Sequence, residues 1–157
     1  MNKILLLLIG AVVLVIISRF AISFFSANKV ATGLSISDDN VMSLSGCDGL
    51  HNCTASTATS KRNHIEAFSY NGTGAEAMTR FSNLIASYSG ATIVTQQANY
   101  LHATFKTTLL GYTDDFELLL DESNQVLHVR SASRIGKSDL GANRKRIEAL
   151  RSLAKSS

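Results

Sequence analysis

The chain of 157 residues contains no proline. This excludes the stiff proline-rich linkers and polyproline ligand segments that need that residue. Cysteine occurs only twice, and without a second pair it makes a poor zinc signature. No G-x-S-x-G string is present, so the nucleophile elbow of a serine hydrolase is absent. No internal repeat appears, which argues against a solenoid. What remains, at 45% hydrophobic and 17% charged, suits one globular domain with one additional segment.

The additional segment is N-terminal. Lys3 precedes "ILLLLIGAVVLVII", and after Ser18 and Arg19 the apolar character resumes in "FAISFF". Residues 4–25 have the roughly 20-residue length of a membrane span, with Arg19 near one end. Residues 1–27 are therefore read as a signal anchor, with a cleaved signal peptide as the alternative, because Ala21-x-Ser23 is a mediocre cleavage site followed by bulky Phe24 and Phe25. Lys3 favours a cytoplasmic start and a domain exported to the periplasmic side of the cell membrane, whereas cleavage would release it into the periplasm. Leu44-Ser45-Gly46-Cys47 resembles a lipobox but lies far beyond the apolar run, so a lipoprotein signal is rejected.

Residues 28–46, rich in small polar side chains, read as linker, and 47–157 as a single α+β domain. In an exported chain Cys47 and Cys53, in "CDGLHNC", are expected to form a disulfide; a metal site with His51 or His64 is the rival. Thr73 and Glu76 stand at capping-box spacing before Met78, Phe81, Leu84, Ile85 and Tyr88, which predicts a helix stopped by Gly90. "ATIVTQQ", "YLHATFKTT", "YTDDFELLLD" and "QVLHVRSAS" predict a four-stranded, mainly antiparallel sheet, and "DLGANRKRIEALRSLAK" an amphipathic C-terminal helix started by Ser138 or Asp139. Its apolar stripe is Ile147, Leu150, Leu153 and Ala154, with Arg144, Lys145 and Arg151 facing away.

Alternation sorts the sheet into two faces. Leu101, Ala103, Phe105, Phe116, Leu118, Leu120, Leu127 and Val129 make a core face. His102, Asp115, Glu117, His128 and Arg130 fall on the other, expected to be a solvated charged surface.

"GCDGLHNCTAS", "YLHATFKTTLLGYTDDFELLLD" and "VRSASRIGKSDLGANRKRIEALR", in this order over residues 44–153, resemble the bacterial and plastid family known as domain-of-unknown-function family 1499. That family's cysteine motif usually carries prolines, and this chain has none. The resemblance implies a signal, anchor or transit segment followed by one small α+β domain. It implies no reaction, so no catalytic residue is carried over.

Two candidate sites remain. Gly136-Lys137-Ser138 matches the end of a phosphate loop, but the glycine needed five residues earlier is Ser131, and the chain supplies no further parallel strands. A milder anion site would use Arg130, Ser131, Arg134 and Lys137, with Ser133, at the start of the last helix. The plainer reading pairs Arg130 and Arg134 with Asp114, Asp115 or Glu117, making the segment a clasp between helix and sheet. The second candidate places His102, Glu117 and His128 together as metal ligands for a hydrolase. No cofactor and no nucleic acid are expected.

From Arg130 onward eight basic residues stand against two acids, a balance of +6 within a total of +3. This basic pole suits anionic envelope components. The leading function is a membrane-associated envelope accessory protein acting as a non-enzymatic binding or interaction module. Its partners are the membrane, through the N-terminal segment, and an envelope protein or anionic envelope component. A metal-assisted hydrolase of the cell envelope is the alternative.

Overall fold

A computed structural model describes residues 2–156. The apolar N-terminus forms one uninterrupted helix, α1 (Lys3–Ala27), long and apolar enough to cross a membrane and exposed along nearly all of its length. A hairpin follows, β1 (Leu34–Ile36) with β2 (Met42–Leu44), and then two short strands, β3 (Cys53–Ala55) and β4 (Phe68–Ser69). The remainder runs α2 (Gly74–Ser87), β5 (Ala91–Gln96), β6 (Tyr100–Lys106), β7 (Thr113–Asp121), β8 (Val126–Ser133) and α3 (Ala142–Ser156).

The chain is α+β, as expected, but its antiparallel sheet has six strands rather than four. Strand β7 is central, with β6 and β5 on one side and β8 on the other. On the outer edge of β8, β4 pairs its first half and β3 its second. These edge strands have three and two residues, too few for an alternation to show in sequence. They are set by hydrogen bonding to β8 instead. The disulfide is present between Cys47 and Cys53 at a Cα separation of 5.3 Å, and holds the chain where it enters β3.

The capping box at the start of α2 is complete: Thr73 Oγ1 accepts from Glu76 N at 3.2 Å, and Glu76 Oε2 accepts from Thr73 N at 2.9 Å. Gly90 ends the following turn with φ +79°, and a Cβ there would lie 2.6 Å from the Lys106 carbonyl oxygen, so only glycine fits. Helices α2 and α3 pack side by side on the predicted core face. Phe81, Ile85, Ile147 and Leu150 close over Leu101, Phe105, Phe116, Leu118, Leu127 and Val129. Rings of Phe68 and Phe81 stack at 4.5 Å, and those of Phe105 and Phe116 meet edge-on at 5.5 Å. Each such buried side chain contributes roughly 1.5 to 3 kcal/mol of hydrophobic stabilisation.

Two sequence expectations change here. In α3, Leu153 is exposed, whereas Asn143 and Arg146 are buried. The first turns of α3 lie over Asp114 and Ser131, at the polar margin of the core face, so polar residues complement them. Arg151 does not face away; its guanidinium sits 4.6 Å above the Phe68 ring and donates to the Ala67 carbonyl. The second change concerns the opposite sheet face. Expected to be solvated, it is covered by residues 26–45, and the stretch read as linker contains the β1–β2 hairpin. Leu44 is buried there against Tyr100 and Leu119.

Candidate functional site: a buried ionic face

Asp115 and Glu117 are two residues apart on β7, so both side chains point to the face away from the helices. Both are fully buried. A buried carboxylate is tolerated only when donors replace its water, and here each has a full set. Asp115 accepts from His102 Nε2 at 2.7 Å, from Arg134 Nε at 2.9 Å and Nη2 at 2.7 Å, and from the Ala31 backbone N–H at 2.7 Å. Glu117 accepts from Tyr100 Oη at 2.8 Å, Arg130 Nη1 at 3.0 Å, and the backbone N–H groups of Gly33 and Leu34 at 2.7 and 3.2 Å. A carboxylate has about four lone-pair directions. Both sets are therefore used up within the chain.

The strap from 26 to 34 closes this network as well as donating to it. Arg130 Nη1 donates to the Ala31 carbonyl, and Arg134 Nη1 to that of Ala27 at 3.2 Å. Gly33 lies directly on the Arg130 side chain: a Cβ at that position would be 2.4 Å from Arg130 Nε. Removal from water alone would raise the pKa of Asp115, but hydrogen bonds from His102, Arg134 and Ala31 and the Arg134 charge outweigh it and lower the pKa to about 2. Burial, and then the neighbouring Glu117, push the Tyr100 phenol in the other direction, above its ordinary range. Tyr100 consequently acts as a neutral donor to a charged carboxylate.

The predicted anion site is divided by the same alternation that built the sheet. Arg130 and Arg134 turn to the strap face and meet Glu117 and Asp115. Ser131 turns to the helix face. There its hydroxyl donates to Asn143 Oδ1 at 2.7 Å and accepts from Arg146 Nη1 at 2.9 Å. Lys137 is exposed in the following loop. The four residues are not brought together, and the arginines face acids of the sheet, which is the clasp geometry. Asp139 starts the helix, accepting from the Gly141 and Asn143 N–H groups at 3.0 and 2.9 Å.

The predicted metal set is likewise dispersed. His102 and Glu117 are cross-strand neighbours, but their side chains serve different partners. His128, half-buried, has Ser56 Oγ 3.2 Å from Nδ1 and Asp121 Oδ2 3.5 Å from Nε2. Among the described residues no group of three or more His, Cys, Asp and Glu side chains is arranged to hold a metal ion.

Sequence reasoning missed two parts of this arrangement. On the helix face, Arg146 Nη2 pairs with Asp114 Oδ2 at 2.5 Å while its guanidinium lies 4.8 Å from the Phe105 ring centre. Asn143 and Arg146 share the helix face of Ile147 and Leu150 by spacing, which was the available signal. On the strap face the missing partners are backbone N–H groups of 31, 33 and 34, which no side-chain pattern reveals. Away from both, a groove of about 1070 Å³ opens between α2, α3 and residues 66–71. It is lined by Glu66, Glu76, Glu148, Arg80, Arg151 and Lys155, three acids and three bases.

The family described as "Protein of unknown function (DUF1499)" matches residues 43–153 of the chain. No curated protein and no solved structure matches it.

Proposed function

The chain belongs to the DUF1499 family, and from that premise we propose that it is a membrane-tethered, non-enzymatic interaction module on the exported side of a cell membrane. The observation that carries this reading is the use of the ionisable groups. Asp115, Glu117, Arg130 and Arg134 bond to one another, to neighbouring side chains and to the strap, so the lone pairs of both acids are engaged within the chain rather than free for a metal or substrate. Their role is to fasten the strap that joins α1 to the domain. The tether is supported by the length and exposed apolar surface of α1. Export is supported by Lys3 at its start and by the disulfide beyond it.

The surface offered to a partner is the α2–α3 groove. With acids and bases in equal number, it complements a mixed-charge protein surface better than an anion. The test places photo-crosslinking residues at Glu66 and Lys155 in the full chain in native membranes and applies protease from the exported side. Discrete adducts and digestion of the domain are expected. A protected domain would overturn export, and adduct-free rims together with hydrolysis of esters that His128→Asn abolishes would replace the interaction module with the hydrolase.

A further inference from the structure

We infer that the β6–β7 loop, residues 107–112, is a second membrane-contacting element, with Leu109 and Leu110 entering the lipid interface beside α1 on the domain's side. The inference rests on the membrane reading of α1. The loop descends along that helix. Thr113 Oγ1 accepts from Ser26 Oγ at 3.1 Å and the Gly111 carbonyl from the same hydroxyl at 3.4 Å. Gly111 lies against Ser23, where an added Cβ would be 3.3 Å from the Ser23 Cβ. Two helical turns further in, Arg19 Nη1 donates to the carbonyls of Thr108 and Leu109, the latter at 2.7 Å. The seven residues from Ser26 back to Arg19 correspond to roughly 10 Å along the helix axis. The loop tip therefore lies about that far towards the membrane from the end of α1.

Depth follows from the helix itself. A hydrocarbon core of about 30 Å takes about 20 helical residues. Counted from Ile4, the span ends near Ser23, so Arg19 falls about 6 Å inside its boundary. A guanidinium at that depth needs acceptors, and the loop carbonyls supply them. The two ends of the loop are also tied to each other, which takes part of its backbone out of the demand for water. Thr107 O accepts from Gly111 N at 3.0 Å, Tyr112 O from Thr107 N at 2.9 Å, and Thr107 Oγ1 from Tyr112 N at 2.9 Å. Its tip is apolar, with Leu109 73% and Leu110 37% exposed, and Phe20, Phe24 and Phe25 project from the adjoining part of α1. Lys29 and Lys106, both exposed, stand nearer the domain, where they meet headgroups. Lipid is thus the occupant that this surface fits: it is continuous with the apolar flank of α1.

The chain has no tryptophan, so a single introduced indole reports depth without interference. Full-length Phe20→Trp, Leu109→Trp and Ser123→Trp would each be reconstituted in phosphatidylcholine vesicles with and without brominated acyl chains. Leu109 is exposed, so its replacement leaves packing intact. Ser123 lies in the β7–β8 turn, at the opposite end of β7 from the loop. Phe20→Trp and Leu109→Trp are expected to be quenched to similar extents, with Ser123→Trp unaffected. Quenching at Phe20 without quenching at Leu109 overturns the inference while leaving the tether standing. A blue-shifted, unquenched Leu109→Trp whose emission depends on protein density would assign the surface to a second copy of the chain instead. An unquenched Phe20→Trp removes the membrane reading, and the inference with it.

Discussion

Arg134→Met removes two of the four donors to Asp115 and leaves that carboxylate fully buried with only His102 and the Ala31 N–H. Breaking a buried ion pair by deleting one partner costs about 3 to 5 kcal/mol, because the remaining charge stays desolvated. Two surviving bonds put this case near the lower end, at about 3 kcal/mol. For a domain of this size, that corresponds to a fall of about 12 °C in the melting temperature. The assay is thermal unfolding of the full chain in detergent, followed by circular dichroism. Lys137→Met, at an exposed position, should change stability by less than about 0.5 kcal/mol. Asp115→Asn combined with Arg134→Met should lose less than the two single losses added together, by about 1 to 3 kcal/mol, because the pair fails as a unit. Equal small effects of Arg134→Met and Lys137→Met, or strict additivity in the double variant, would refute the clasp. Stabilisation of the unsubstituted chain by phosphate, lost in Arg134→Met, would restore the anion site.

Gly33→Ala places a methyl group 2.4 Å from both Arg130 Nε and Ser45 Oγ, so it should destabilise by about 1 to 3 kcal/mol; urea unfolding measures this, and a neutral result would show that the strap yields easily. The lowered pKa of Asp115 gives an acid dependence of known sign. Its contribution, about 2 kcal/mol, is fully present above the ordinary value near 3.8 and is lost as pH falls towards about 2. Stability measured across that window should show a smaller loss in Asp115→Asn. Reducing the Cys47–Cys53 bond, which closes a loop with a sequence separation of 6, should lower stability by about 2 kcal/mol by releasing chain entropy in the unfolded state; comparison with Cys47→Ser/Cys53→Ser checks it.

The long elements were legible because each has a period. Strands β6, β7 and β8 alternate, so Leu101, Phe116 and Val129 identified the core face; α2 carries its own start signal in Thr73 and Glu76. The site was legible only in part. Asp115, Glu117, His102 and Arg130 were correctly placed on one face, but their solvent exposure was not, since that depends on a segment 70 residues or more away in sequence. Tyr100, two residues from His102 on the same face, carried no sign that its hydroxyl would serve Glu117.

Composition and spacing alone determined an apolar leader of membrane length, a disulfide-sized cysteine pair, a capped helix and a two-faced sheet, because these depend on neighbours a few residues apart. Tertiary structure decided what the charged face is for. Strap N–H groups meet Asp115 and Glu117, and the strap carbonyls of Ala31 and Ala27 meet Arg130 and Arg134, only when residues 27–34 fold across the sheet. Hydrogen bonds are satisfied in space rather than along the chain, and the sequence records the donors and acceptors without recording which of them meet.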